Sequence, residues 1–151
     1  MSQKFDYALG LTETIIPSKQ DEREREYVSA FKTLVEKKIT PEVLTSTQFP
    51  SKKEVVVSVM QFFLSEKEYK SRDVDNMSKP ILDCLKGKLY VDDSQVRTLL
   101  ISKKVSPKVK SNFAFVGVRE LNGPTDAGMV QDHLIEQAIT MYQASAKAAS
   151  K

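Results

Sequence analysis

One stretch of the chain, residues 54–64, constrains the fold more than any other. It reads EVVVSVMQFFL and is an almost unbroken run of β-branched, aromatic and other apolar residues. Strands of this composition are typical of the centre of a sheet, where both faces are covered. We therefore expect a central strand here, and the remaining segments must supply its neighbours and its covering layers.

Three further segments have the patterns of strands. Residues 5–11 alternate between large apolar residues and small or polar ones, and residues 96–103 divide into two alternating sets. Residues 112–118 read NFAFVGV, which is a third short run of strand-forming residues. Because the segments 96–103 and 112–118 flank a turn around Pro107, we expect them to pair as a hairpin.

Apolar residues at helical spacing indicate about three helices, over roughly residues 20–39, 75–87 and 125–147. Together with the strands they predict an α+β fold, in which a small mixed, mainly antiparallel sheet of about four strands is flanked by these helices. Helices would pack on one face of the sheet and leave the other face for a dimer or another partner. The length fits a single domain over residues 1–151, whose alanine-rich end, residues 143–151, is expected to fray.

Five aspartates lie within the 21 residues from Asp73 to Asp93. If the chain is extended at Asp73, alternate side chains share a face, so this acid and Asp75 point the same way. If a helix instead begins near Asp75, that carboxylate lies at the positive end of the helix. In such a helix Asp75, Lys79 and Asp83 share one stripe. A separate stripe is apolar and expected to be buried, and it contains Met77, Ile81, Cys84 and Leu85.

Carboxylates crowded in this way repel one another, so a fold that gathers them must neutralise them with protons, lysines or a cation. Carboxylate oxygens are hard ligands that suit Mg²⁺ or Mn²⁺ rather than zinc. Lys79, among these acids, is suited to bind a phosphate oxygen or to orient a water. The pattern therefore indicates metal-assisted phosphodiester hydrolysis. The alternative is a capped surface helix with ordinary ion pairs.

Basic residues lie on both sides of the acidic cluster. A predicted polar loop over residues 65–72 contains Lys67, Lys70 and Arg72, and its Tyr69 is suited to stack on an unpaired base. A second group surrounds the turn at Pro107 and consists of Lys103, Lys104, Lys108 and Lys110. Side chains of this kind contact the phosphates of nucleic acids, although the same charges also serve solubility alone.

The overall composition narrows the classes of function without selecting one. A formal net charge of +3 permits nucleic-acid binding but does not imply it. The one cysteine, Cys84, argues against a disulfide scaffold and fits a reducing cytoplasm. Because no stretch resembles a membrane span or a signal peptide, we expect a cytoplasmic protein without a membrane partner.

The polar residues of the acidic cluster resemble the core signature of the RusA family of Holliday junction resolvases over roughly residues 70–104. They read Asp73-x-Asp75-Asn76-x-x-Lys79-x-x-x-Asp83-x-Leu85, followed by Asp92-Asp93 and Val96. The resemblance implies that Asp73, Asp75 and Asp93 bind the catalytic divalent metal and that Lys79 assists in catalysis. Three further residues match the signature and are interpreted as supporting residues: Asn76, Asp83 and Asp92.

The same resemblance implies a crossover junction endodeoxyribonuclease that depends on Mg²⁺, with Mn²⁺ as a substitute. It further implies a homodimer that resolves four-way DNA junctions by paired symmetric nicks. Two alternatives stay open: a nuclease for other branched DNA, such as flaps and forks, and a non-cleaving junction-DNA-binding protein of the same fold. A location in a bacterial host cell and a phage or prophage origin are also implied only by the family.

The chain departs from the family pattern between its first strand and its first helix. Many members carry a basic, proline-containing loop there, whereas residues 17–20 of this chain are followed by the run 21–26, in which acids and arginines are interleaved. The acids weaken the attraction of this loop for phosphate. The departure bears on junction selectivity more than on the chemistry.

Overall fold

The structure, a computed structural model, describes residues 5–18, 25–40 and 48–149. In chain order its helices and strands are β1 Tyr7–Thr12, α1 Arg25–Lys38, β2 Val55–Phe62, α2 Glu66–Ser71, α3 Val74–Leu85, β3 Val96–Lys104, β4 Phe113–Glu120 and α4 Asp132–Ala149. A 3₁₀ turn, Asp93–Gln95, leads directly into β3. The charged run at residues 21–24, together with the beginning predicted for the first helix, lies outside the described ranges.

The four strands form one sheet in the order β1-β4-β2-β3. β4 is antiparallel to both β1 and β2, whereas β2 and β3 are parallel. Parallel neighbours need a long crossover connection, and here α2 and α3 supply it. The predicted α+β class and the mixed, mainly antiparallel sheet of four strands are therefore confirmed, and β2 lies in the interior of the sheet as expected.

The predicted hairpin between residues 96–103 and 112–118 is wrong. β2 lies between the two strands, and its Val59 pairs with Ile101 of β3 on one side and with Val116 of β4 on the other. Residue composition explains the arrangement, because β4 carries small and β-branched residues that suit the interior of a sheet. β3 ends in Lys103 and Lys104, and lysines are typical of an edge strand.

The core lies on one face of the sheet, between the strands and two helices. Alternate residues of the strands are buried there, and α1 contributes Phe31 and Val35. α3 contributes the stripe predicted from its spacing, Met77, Ile81, Cys84 and Leu85, all of which are buried. Burial raises the pKa of the Cys84 thiol to about 11, so this cysteine is an inert packing residue.

The second face of the sheet is only partly covered within the described residues, so the expectation that β2 is covered on both faces is wrong for that face. Its large side chains are half-buried or exposed: Met60, Phe62, Leu100, Phe113 and Phe115. We call these five residues the open face. α4 is similarly uncovered, because every described side chain in it except that of Ile135 is exposed.

Two segments differ from the secondary structure that the sequence predicts. Residues 65–72 were expected to be a loop but contain α2, which begins where the Ser65 hydroxyl accepts a hydrogen bond from the Glu68 amide (3.3 Å). The last helix begins at Asp132 rather than near residue 125, and it continues to Ala149 through most of the segment expected to fray. No helix in the described part of the chain has the length and apolarity needed to cross a membrane.

Candidate active site

Asp73 and Asp75 lie at the start of α3. Asp73 has extended backbone angles and occupies the N-cap position, but its side chain makes no capping hydrogen bond. Asp75 lies in the first turn, and both residues are exposed. Of the two local geometries that the sequence allowed, the helical one is correct, with the helix beginning at Val74. The positive end of α3 therefore stabilises two solvent-facing carboxylates.

Asp93 is held in place by a network centred on Gln95. The Gln95 side-chain oxygen accepts hydrogen bonds from the amides of Val91 (2.8 Å) and Asp92 (2.9 Å). Its side-chain nitrogen donates to the carbonyls of Ser51 (2.8 Å) and Lys53 (2.7 Å). Gln95 therefore fastens the turn that carries Asp93 to the segment just ahead of β2.

The neighbouring acid, Asp92, has a structural role in the same turn. Its carboxylate accepts a hydrogen bond from the Ser94 amide (3.1 Å) and forms the capping box with Gln95. Hydrogen bonds from Ser94, with Lys86 at 3.4 Å, lower the pKa of Asp92 to about 2. The hydrogen bonds of Asp92 therefore shape the turn, and its supporting role in the site stays a prediction.

Asp93 itself has one oxygen without a hydrogen-bond partner. Its Oδ1 atom is buried and has no donor among the described residues. Tyr90 is the candidate donor, because the charge of Asp93 and a hydrogen bond with it contribute, after burial, to raising the pKa of the tyrosine. However, the one hydroxyl proton of Tyr90 is donated to the Leu82 carbonyl (2.8 Å). A buried carboxylate oxygen without a partner destabilises the fold unless a bound ligand supplies the missing contact.

Lys79 connects Asp93 to α3. Its Nζ atom donates to Asp83 Oδ1 at 2.8 Å, one helical turn away, and lies 4.0 Å from Asp93 Oδ2. The hydrogen bond and the charge of Asp83 raise the pKa of Lys79, so the ammonium is kept protonated. Asp83 thus pairs with this lysine, and its supporting role in the site stays a prediction.

The three predicted metal ligands do not form a closed cluster. Asp73 and Asp75 line an open cleft with Ser78, Leu99, Ile101 and Lys103, and Asp93 is not part of its lining. Within the residues that the structure describes, no three His, Cys, Asp or Glu side chains lie close enough together to hold a metal ion. The topology explains the spacing, because Asp73 follows the end of β2 whereas Asp93 precedes the start of β3.

The chemistry of these side chains nevertheless fits a hard divalent cation. All three candidates offer carboxylate oxygens. The Oδ1 atom of Asp93, which has no hydrogen-bond partner among the described residues, is suited to coordinate such a cation. Repulsion between like charges favours separation of the carboxylates while no cation neutralises them. Asn76 is half-buried in the same first turn of α3, beside both acids in sequence.

Most of the predicted DNA-binding residues lie at one end of the sheet, because they belong to segments at or beyond the carboxyl ends of β2 and β3. A second cleft there is lined by Tyr69, Lys70, Lys103 and Lys104, with Glu66 and Val105. It adjoins the cleft of Asp73 and Asp75, since Lys103 lines both. Three other lysines of this group are exposed outside the two clefts: Lys67, Lys108 and Lys110. Arg72, directly before the first acid, is half-buried.

The main residue that the sequence interpretation missed is Gln95. Its signal was present, because a glutamine three residues after Asp92 matches the spacing of a capping box. A short capping turn between a helix and a strand is easily overlooked beside the two aspartates that it contains.

Comparison with known proteins identifies a family. The family model described as Endodeoxyribonuclease RusA matches residues 11–112, a range that takes in the end of β1, all elements from α1 to β3 and both clefts. No curated protein matches the chain.

Proposed function

The chain belongs to the RusA endodeoxyribonuclease family, and we propose that it is a divalent-metal-dependent endonuclease that resolves four-way DNA junctions by paired symmetric nicks. The observation that carries the proposal is the position of Lys79, whose Nζ atom lies 4.0 Å from Asp93 Oδ2. This lysine links the acid ahead of β3 to the helix whose first turn carries Asp75.

Asp73, Asp75 and Asp93 would hold the divalent cation, which is Mg²⁺ with Mn²⁺ as a substitute. When bound, the cation polarises the scissile phosphate and lowers the pKa of an attacking water. It also removes the repulsion that favours separation of the three carboxylates. Asp93 has a fixed backbone in the Gln95 network, so the exposed side chains of Asp73 and Asp75 make the larger adjustment.

Lys79 would stabilise the negative charge that develops on the phosphate during cleavage. A lysine is cationic at neutral pH, and Asp83 directs its ammonium from the adjacent helical turn. Asp83 is therefore a positioning residue, while Lys79 is the group that contacts the reacting phosphate.

The second cleft would hold the backbone of the DNA strand. Lys70 and Lys104 line it and offer charges for phosphates, and Tyr69 offers a ring for a base near the junction centre. Because this cleft adjoins the acidic one, a strand bound in it continues towards Asp73 and Asp75. The exposed Lys67, Lys108 and Lys110 extend the positive surface at the same end of the sheet.

A homodimer would place two active sites on symmetric strands of a junction. The open face and α4 together support this part of the proposal, because both expose large apolar side chains among the described residues. A complete face of four strands, spaced by about 4.8 Å and rising about 3.3 Å per residue over some eight residues, measures about 500 Å², and the open face is the uncovered part of it. A standard stable interface takes roughly 800 Å² per subunit, so the proposed dimer would use both the open face and α4.

Cleavage of a synthetic four-way junction in Mg²⁺ tests the proposal. Asp75→Asn and Asp93→Asn should abolish paired nicking while junction binding, measured by gel shift in EDTA, is retained. Asp132→Asn, which removes an exposed acid far along the chain, should cleave like the unaltered protein. Undiminished cleavage by Asp75→Asn or Asp93→Asn rules out the proposed metal site.

One observation favours the alternative of a non-cleaving junction-binding protein, namely that the three acids are not gathered in the described structure. The same two assays separate the alternatives, because such a protein shifts the junction in EDTA and leaves it intact after Mg²⁺ is added. Parallel cleavage of flap and fork substrates decides whether four-way junctions are the preferred substrate.

A further inference from the structure

We propose that Lys103 is a positioning residue for the metal-binding acids rather than a contact to DNA phosphates. The proposal rests on the nuclease function proposed above and concerns the same site. It reassigns a lysine that the sequence grouped with the DNA-binding residues, because its side chain is directed into the protein.

The Lys103 ammonium is committed to two backbone carbonyls. Its Nζ atom donates to the carbonyl oxygens of Tyr69 and Arg72, at 2.7 Å each. It also lies 4.5 Å from the centre of the Tyr69 ring, within the range of a cation–π interaction. Two of the three N–H donors of the ammonium are thereby used, and the aromatic face takes up part of its charge.

The two carbonyls belong to the segment that delivers the chain to the active site. The Tyr69 carbonyl is in the last turn of α2, where carbonyls lack helical partners and a cation is favourable. The Arg72 carbonyl belongs to the peptide bond whose nitrogen is the amide of Asp73. Lys103 therefore fastens the connection between α2 and α3 to the end of β3.

The start of α3 is not capped by the Asp73 side chain, while the amide of Asn76 donates to the Asp73 carbonyl at 3.2 Å. The clamp from Lys103 fixes where α3 begins, and so where Asp73 and Asp75 are presented. Its neighbour Lys104 points to the opposite face of β3 and is exposed, which makes it a matched control.

The test measures metal affinity and DNA affinity separately. Metal affinity is measured without DNA from the electron paramagnetic resonance of free Mn²⁺. DNA affinity is measured by junction gel shift in EDTA at several salt concentrations. Both assays compare three variants: Lys103→Met, Lys104→Met and Asp75→Asn. Lys103→Met should weaken Mn²⁺ binding by about 10-fold or more, as loss of outer-shell support does. Its junction affinity and salt dependence should match the unaltered protein, whereas Lys104→Met should bind Mn²⁺ normally.

Lys103→Gln, which keeps a neutral donor, is made in parallel and replaces Lys103→Met if that variant does not fold. It should also weaken Mn²⁺ binding. Unchanged Mn²⁺ affinity in a folded Lys103 variant overturns the inference. So does a loss of junction affinity with the salt slope reduced by about one and metal affinity intact, which is the signature of a phosphate contact. If Asp75→Asn also leaves Mn²⁺ binding unchanged, the proposed metal site fails instead.

Discussion

Adjacent aspartates in the 3₁₀ turn have different roles because their surroundings differ. Asp92 is surrounded by donors, from Ser94 and Lys86, whereas the buried Oδ1 of Asp93 has none among the described residues. The resemblance to the family assigns these two acids different roles, and their surroundings supply a physical reason for the difference. Their hydrogen bonds make Asp92 a structural residue and Asp93 the candidate ligand.

At the residue scale, the proposed role of Lys79 gives a specific prediction. Lys79→Met removes the charge beside Asp93 but keeps the length of the side chain. We expect the rate of junction cleavage at saturating Mg²⁺ to fall by about 100-fold, as when a single charge-stabilising group is removed from an active site. The dissociation constant for the junction in EDTA should stay unchanged, since Lys79 makes its contribution during cleavage.

Lys86→Met is the matched control for Lys79→Met, because it removes another exposed lysine that pairs with an aspartate of the same turn. It should cleave at nearly the normal rate. Equal losses in the two variants would show that the effect comes from general charge near the turn and not from Lys79.

At the element scale, the turn that carries Asp93 depends on the two donors of Gln95. Gln95→Glu keeps the shape of the side chain but places a carboxylate against the carbonyls of Ser51 and Lys53. We expect the free energy of unfolding to fall by about 2 kcal/mol, because two buried or half-buried acceptors lose their donor. Cleavage should slow by about 10-fold through misplacement of Asp93. Urea unfolding and single-turnover cleavage measure the two effects.

Gln48→Glu makes the same chemical change at an exposed position, so it should alter neither unfolding nor cleavage. A Gln95→Glu protein with normal cleavage and lowered stability would show that the turn supports the fold without positioning Asp93.

How much of the fold was predictable also differs between elements. The stripe of α3 was predicted correctly because four apolar residues at 3.6-residue spacing have one way to be buried. The predicted hairpin was wrong because a local sequence pattern identifies strands but not their neighbours in the sheet. Here β2 lies between β3 and β4 and pairs with both. α2 was missed because it is short and Tyr69 is its one apolar side chain, which gives no periodic signal.

The sequence proposes the residues of the candidate site but not their geometry. The signature selects the acids and Lys79, and the structure shows Lys79 between Asp83 and Asp93. The signature cannot show that Lys103 turns inward while Lys104 turns outward, because that depends on the register of β3 against β2. The start of α4 was misplaced because Asp126, which resembles a helix cap in sequence, binds a tertiary partner instead.

That partner is Arg119, and the pair fixes the segment ahead of α4. The Asp126 carboxylate accepts from Arg119 (3.0 Å) and from the amides of Asn122 (3.1 Å) and Gly128 (3.0 Å). The Arg119 guanidinium and these amides hold the pKa of Asp126 well below its usual range. Its stabilising contribution is therefore present above the unfolded pKa of about 4 and is lost as the pH falls towards the lower folded value.

Asp126→Asn should consequently lower the free energy of unfolding by about 2 kcal/mol at pH 7, because it weakens the charged hydrogen bonds to a largely buried carboxylate. The difference from the unaltered protein should shrink as the pH is lowered below about 4. Urea unfolding at pH values from 3 to 7 measures it. Asp132→Asn, at an exposed site, should show a small difference at every pH, and a constant difference for Asp126→Asn would contradict the assigned role.

At the scale of the whole molecule, charge and apolar surface are separated. The clefts and the basic residues lie at the carboxyl ends of the parallel strands, whereas the open face and α4 offer mainly apolar side chains. A DNA backbone presents phosphates, so it suits the first surface and not the second. We therefore expect the second face to serve the proposed dimer rather than DNA.

The last prediction tests this assignment through α4. Ile139 is 50% exposed on that helix, and Ile139→Glu would place a charge in the proposed interface. We expect the unaltered protein to be a dimer by light scattering and Ile139→Glu to be largely monomeric, because an unpaired charge buried in an interface is strongly unfavourable. Gln137→Glu adds the same charge about 200° around the helix and should stay dimeric. The monomeric variant should also nick junctions singly, since paired nicks need two sites held on one junction. A dimeric Ile139→Glu protein would place the interface elsewhere, and a monomeric unaltered protein would overturn the dimer itself.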